Sequence, residues 1–214
     1  IGLLNPLTGG LAAYAPGFTV AAGMAIDDLN AIDSKVQYSI VEQDTQSSAD
    51  GGTAGATALV AAGVVGVAGA ASSTVSMAAN AVLSAAGVVQ VSYASTSPAL
   101  SDSTAYPHFW RVVSSDALQG PAMKTMVSTA GHTSPALVHM NNDYGTGLAD
   151  SFELAWGSDN LCTKVSYDQA STDFSTQVSA VASASGCDSV VLIAYATDGA
   201  DILETMAVAG VALP

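Results

Sequence analysis

Short apolar runs alternate with longer segments of helical period along the whole chain. The apolar runs predict strands at Ile1–Leu4, Val36–Glu42, Val64–Ala68, Val88–Ser92, His108–Val113, Ala136–Met140, Cys162–Tyr167 and Ser189–Tyr195. Between most of them, recurring apolar positions predict helices over Gly17–Ala31, Ala49–Ala62, Val75–Ala86, Ala117–Ala130, Gly145–Trp156, Phe174–Ala184 and Ala200–Ala209. The run VVLIAY, ending at Tyr195, is continuous rather than alternating, which predicts a parallel strand covered on both faces. Strand and helix in alternation predict a doubly wound α/β fold with right-handed crossovers.

One stretch breaks this rhythm. From Ser95 to Trp110 there is no helical pattern, and Pro98 and Pro107 punctuate a run of Ser, Thr and Asp. The strand-like HFWRVV then leads directly into SSDALQGP, which opens a helix with Ser115 or Asp116 as its cap. This is the place for a crossing between two lobes, and it predicts domains at 1–113 and 114–214.

In open α/β sheets ligands bind outside the carboxyl ends of the strands. The segments to inspect are therefore Asn5–Tyr14, Asp44–Ser47, Gly69–Thr74, Tyr93–Ser97, Asn141–Gly145 and Ala196–Gly199. They are rich in hydroxyls, Tyr and Gly and hold no Lys, Arg or His. The junction GAASSTVSMA raises two readings. Ser72, Ser73 and Thr74 sit where a strand gives way to a helix, so they cap the helix or they serve a ligand. Capping needs one side-chain oxygen facing a free amide. Ligand binding uses the same amides and dipole to hold a carboxylate without any arginine.

Composition removes several function classes. Among 214 residues there are 4 Lys and Arg against 18 Asp and Glu, a formal net charge of −14. Phosphate neutralisation requires clustered cations, so nucleic acid is not an expected partner. The charged fraction of 10% is too low for a disordered acidic tail. The most apolar region, Ala54–Ala71, is broken by glycines and reads as helix, turn and buried strand rather than a membrane span. No signal peptide is visible ahead of the strand-like IGLL, which fits a cytosolic protein or a mature, trimmed chain. The weakly charged, Ser/Thr-rich, acidic character favours an exported protein.

Catalytic and cofactor motifs are missing from the sequence. There is no GxGxxG, no GxxxxGK[ST] and no GxSxG. His108, His132 and His139 form no metal-binding spacing, so no metal and no cofactor is expected. Cys162 and Cys187 match neither CxxC nor a zinc pattern. Each stands at the head of a strand-like run, at the same end of what an α/β unit makes neighbouring strands. A disulfide between them is expected and implies an oxidising compartment; two free buried thiols are the alternative.

Eight segments in one order carry a resemblance: IGLLNPLTGGLAAYAPGFTVAAGMAIDDLNA, EQDTQS, GAASSTVSMA, VSYASTSPALSD, HFWRVVSSDALQGP, NNDYGTGLADSFE, STDFSTQVSAV and DSVVLIAYATDGADIL. Together they resemble the periplasmic leucine/isoleucine/valine-binding family, the type I solute-binding proteins of ABC importers. The resemblance implies two α/β lobes, each a doubly wound and mostly parallel sheet, that close on a small ligand. It implies that Ser72, with Ser73 beside it, contacts an amino-acid carboxylate, and that Ser95 and Thr96 serve carboxylate and ammonium. It further implies an aromatic lid at Tyr14 and second-lobe residues at Tyr144 and Tyr195 that close over the ligand. The family's chains are longer, so lobe two is expected to be truncated at Pro214, with an ammonium-pairing acid beyond it.

The function implied is capture of a small zwitterion, a branched-chain or similar amino acid, and not catalysis. The partners implied are that ligand and the membrane permease of an ABC importer, and the protein is expected to act as a periplasmic or extracellular monomer. Two alternatives stay open: the ligand-sensing ectodomain of a receptor, and a binder of amides, urea or aromatic carboxylates.

Overall fold

The computed structural model describes residues 1–32, 35–212 and 214. They divide into two compact units, Ile1–Val113 and Ser114–Pro214. In unit 1 the strands are β1 (Gly2–Asn5), β2 (Val41–Asp44), β3 (Gly66–Ala68), β4 (Val89–Ser92) and β5 (Phe109–Arg111). The helices between them are α1 (Ala15–Ile32), α2 (Ala49–Ala61) and α3 (Ser73–Ala85). The sheet is parallel throughout, in the order β2-β1-β3-β4-β5. Its carboxyl ends therefore gather the loops that follow all five strands.

Burial explains which helix covers which face. Leu4, Leu59, Val67, Val75 and Leu83 form one core from β1, α2, β3 and α3. Small residues let these elements close up: a Cβ on Gly52 would meet Val75 at 2.8 Å, and one on Gly55 would meet Leu4 at 2.8 Å. Truncating a leucine in such a core costs about 2–5 kcal/mol. Helix α1 lies on the opposite face, where buried Asn5 donates to the Ala15 carbonyl and to Thr19 Oγ1.

Unit 2 comprises α4 (Asp116–Thr129), β6 (Pro135–Met140), α5 (Asp143–Trp156), β7 (Thr163–Tyr167), α6 (Ser175–Ser183), β8 (Ser189–Ile193) and α7 (Ala196–Val208). Its parallel sheet has the order β7-β6-β8. Every residue of β6 is buried. Strand β8, which holds most of the continuous run, is parallel and covered on both faces: Val190 and Leu192 pack against one core cluster, while Val191 and Ile193 belong to another.

Among the boundaries that differ from those the periodicity predicts, some have a visible hydrogen-bonding cause. Strand β2 starts at Val41 rather than Val36, because Asn30 of α1 claims the Tyr38 backbone through two hydrogen bonds, at 3.0 and 2.7 Å. Strand β8 stops at Ile193, and α7 begins four residues before the predicted Ala200, because Asp198 accepts the Tyr195 N–H at 3.4 Å and so defines the helix start. Cys162 and Cys187 are joined by a disulfide with Cα atoms 5.2 Å apart, but β7 and β8 are not neighbours. They flank β6. The chain ends converge there because Cys162 N–H bonds the Pro135 carbonyl and Asp188 N–H bonds the Ser134 carbonyl.

The bridge closes a loop of sequence separation 25 within unit 2. Replacing both cysteines by serine should lower the stability of this unit by about 3 kcal/mol, through the freedom returned to the unfolded chain. Urea unfolding followed by a unit 2 probe, Trp156, measures it. An unchanged midpoint would contradict the structural role of the bridge.

Candidate functional site

The loop after β3 turns on Gly69, whose φ of +128° suits glycine. A Cβ at this position would lie 2.6 Å from the Leu4 carbonyl oxygen. The backbone of the next residue, Ala70, is buried, and its N–H and carbonyl are both met by side chains. Ala70 N–H donates to Ser76 Oγ at 3.0 Å. The Ala70 carbonyl accepts from Ser92 Oγ at 2.6 Å and from Ser95 Oγ at 3.0 Å. Ser76 and Ser95 hydroxyls are 2.8 Å apart, and Gln90 Nε2 donates to the carbonyls of Gly69 and Ser76. Unpaired polar groups at this depth cost about 1–3 kcal/mol each, so the network is the condition for the loop's shape.

This network sorts the hydroxyls. Ser95 is buried, and its hydroxyl bonds the Ala70 and Ala71 carbonyls, so it helps to build the loop. Ser73, also buried, accepts the Ser97 N–H at 3.1 Å and thereby joins the head of α3 to the loop after β4. Ser72 is different. It occupies the N-cap position of α3 and is only 5% exposed, yet its side chain makes no cap hydrogen bond. The capping reading of Ser72 therefore fails. Elsewhere the chain caps in the ordinary way: Ser48, Ser115 and Asn142 each accept a helix-start amide. The head of α3 combines a hydroxyl not used on its own helix with a positive dipole end.

Thr96 is half-buried in the loop after β4, the strand next to β3. This loop is braced from below by Arg111, the chain's sole arginine, whose Nη1 donates to the Ser97 carbonyl at 2.8 Å. The one guanidinium of the protein is thus a structural tie. Tyr14 ends a 3₁₀ turn, Ala12–Tyr14, in the loop after β1, and is 48% exposed. Beneath, Tyr93 donates its hydroxyl to the Leu4 carbonyl at 2.9 Å, and its ring meets Phe18 of α1 at 4.5 Å. Burial, with the Glu42 charge nearby, raises the Tyr93 pKa well above the usual phenol range.

In unit 2 two tyrosines come together at the carboxyl ends of β6 and β8. Tyr144 stands in the first turn of α5, and Tyr195 immediately precedes α7. Their rings are stacked, with centroids 5.7 Å apart and planes 6° from parallel. Asp198 fixes the pair from behind, accepting from Tyr195 N–H and from the buried Tyr167 hydroxyl. Burial, and then the charge of Asp116 and the neighbouring Tyr195 and Asp198, push the Tyr144 pKa up to about 12. Tyr144 therefore stays a neutral donor at physiological pH.

Asp116 is the residue that sequence reasoning missed. The sequence offers it only as a cap, but Ser115 takes that role and Asp116 is completely buried in the first turn of α4, close enough to Tyr144 to perturb it. Its burial is the signal, and burial is a tertiary property.

A family model described as the receptor family ligand binding region matches residues 19–213. This chain belongs to that family. Metabotropic glutamate receptor 6 of Rattus norvegicus is 40% identical to it over 89 residues, 42% of this chain and 10% of that protein. Metabotropic glutamate receptor-like protein E of Dictyostelium discoideum is 39% identical over 92 residues, 43% of this chain and 11% of that protein. Among solved structures, the branched-chain amino acid transporter substrate binding protein LivJ from Streptococcus pneumoniae, in complex with isoleucine, superposes with a TM-score of 0.85 at 24% identity. The match covers 100% of this chain and 62% of that one. The leucine binding protein LivK from Thermotoga maritima gives a TM-score of 0.86 at 22% identity, over 99% of this chain and 61% of that one. The chain thus spans about three-fifths of these solved chains and about a tenth of the receptors. The fold is that of type I periplasmic binding proteins, and the domain is a ligand-binding one.

Ser72 at the head of α3 and Ser76 within it give a direct test of this sorting. Ser72→Ala should change stability by less than about 0.5 kcal/mol, because no cap bond is lost. Ser76→Ala should cost about 1–3 kcal/mol, because the buried Ala70 N–H loses its acceptor. Chemical denaturation of both variants measures this, and equal losses would contradict the assignment.

Proposed function

We propose that this domain binds a small amino acid reversibly and carries out no chemistry on it. The single observation that carries this reading is Ser72: a nearly buried hydroxyl at a helix head, left out of capping while the serines around it are engaged in holding the loop. Ser72, Thr96 and the first amides of α3 take the ligand's carboxylate in unit 1. No cation is needed there, since oriented amides and hydroxyls hold an anion through charge-assisted hydrogen bonds. Tyr14 acts as a lid from the loop after β1. In unit 2 the stacked Tyr144 and Tyr195 offer the electron-rich faces that attract an ammonium group, with Asp116 supplying formal negative charge nearby.

Branched-chain amino acids are the ligand class we favour, because the LivJ structure holds isoleucine and LivK is named a leucine binder. The physiological role we favour is capture outside the cytoplasm for an ABC-type importer. The metabotropic glutamate receptor relatives support a second reading, a sensing ectodomain with the same ligand chemistry. A membrane span encoded downstream in the gene favours the receptor, and an adjacent permease gene favours import.

Isothermal titration with isoleucine, leucine, acetamide and urea tests the ligand class. The aliphatic amino acids should bind and the uncharged amides should not, because only the former bring a carboxylate to the α3 head. Ser72→Ala and Asp116→Asn should each weaken isoleucine binding by about tenfold or more, the effect of removing one partner from a buried charge. Retention of wild-type affinity in both variants would overturn the site assignment.

A further inference from the structure

The loop after β1 carries Tyr14, yet little apolar burial holds it. Leu11 is the one buried side chain between Leu7 and Tyr14; Leu7, Thr8, Gly9 and Gly10 are exposed. What fixes the loop is polar and comes from the neighbouring strand. Asp44, the last residue of β2, accepts the Thr8 N–H through Oδ1 at 3.1 Å and the Thr8 hydroxyl through Oδ2 at 2.7 Å. Ser47 Oγ accepts the Leu11 N–H at 3.1 Å and donates to the Thr8 carbonyl at 3.0 Å.

The segment that supplies these groups is itself strained. Gln46 and Ser47 adopt adjacent left-handed conformations with φ of 53° and 52°, although neither is glycine. Gly9 sits against them at φ +84°, where a Cβ would lie 2.4 Å from the Gln46 carbonyl oxygen. Asp44 further steadies the turn by accepting the Gln46 N–H at 2.8 Å. Burial opposes the Asp44 charge, but the bonds from the Thr8 hydroxyl and the Gln46, Thr8 and Leu7 amides outweigh it and hold its pKa below the ordinary carboxylate value. Non-glycine residues keep a left-handed conformation only where surrounding interactions insist on it, and such positions cluster at ligand clamps.

We infer that Asp44 and Ser47 form a clasp that positions the Tyr14 loop for ligand binding, acting through Tyr14 and not touching the ligand themselves. This inference rests on the amino-acid-binding reading for its functional consequence. A loop held in one place presents Tyr14 ready to close, whereas a loose loop is competent only a fraction of the time and lowers apparent affinity by that fraction. The clasp makes the loop after β2 a determinant of affinity, though it contributes no residue to the ligand surface.

Hydrogen–deuterium exchange of the 214-residue chain tests the clasp without any ligand. In Asp44→Ala, residues 6–14 should exchange about tenfold faster or more, while residues 66–92 stay as in wild type. Asp44→Asn, which keeps an acceptor oxygen for the amides, should restore most of the protection. Faster exchange in both segments alike would reduce Asp44 to general stability and overturn the inference, and so would unchanged exchange at 6–14. The second arm uses isoleucine as the probe. Asp44→Ala and Tyr14→Ala should each weaken it by about tenfold, and the double variant should lose no more than either alone, because both act through one loop. Multiplying losses would overturn the route through Tyr14. Failure of the wild-type chain to bind isoleucine or leucine would overturn the amino-acid reading and with it the proposed function of the clasp, whereas the exchange arm decides separately whether the clasp orders the loop.

Discussion

The peptide of Ala70 sets the terms for everything around it. A loop that brings a helix head to the carboxyl end of a parallel sheet must bury backbone polar groups where no other strand can pair them. Here side chains do that work. Ser76 takes the N–H, and Ser92 and Ser95 share the carbonyl. With those three in place the chain can turn at Gly69, start α3 at Ser73 and leave the Ser72 hydroxyl out of the helix's own needs. Removal of the network would leave the Ser72 hydroxyl without a fixed position.

The same logic governs charge. In a chain with a net charge of −14, the sole arginine donates to two loop carbonyls and a serine hydroxyl. Neutral donors and a helix dipole remain to receive an anion in unit 1. In unit 2 the acids stand behind rings: Asp198 steadies Tyr195, and Asp116 shifts Tyr144. Burial of these groups strengthens each interaction, since screening by water and salt is weaker there.

Much of the fold is legible in the sequence because the valine-rich runs and Ala/Leu periods that define strands and helices are local. The displaced start of β2 is not local. It depends on Asn30, eight residues before Tyr38, turning back to bind that backbone. The loops after β3 and β4 are equally legible as hydroxyl clusters after strands. Which hydroxyl points where is not, because Ser72, Ser73, Ser76 and Ser95 are chemically alike and only the phase of α3 and the turn at Gly69 separate inward from outward. Asp116 is hidden for a related reason: beside Ser115 it looks like a cap, and only tertiary packing removes it from water. Cys162 and Cys187 show the limit from the other side, since the end of the sheet they share can be read from the chain, but the strand lying between theirs cannot.

The central claim is that the head of α3 receives a ligand carboxylate. Amide chemical-shift mapping during an isoleucine titration addresses it most directly, because amides that donate to a new anionic partner shift strongly. The account predicts the largest unit 1 changes at Ser72, Ser73, Thr74 and Thr96, saturating together with changes at Tyr144 and Tyr195. Saturable binding that leaves the amides of residues 72–75 unmoved would contradict it.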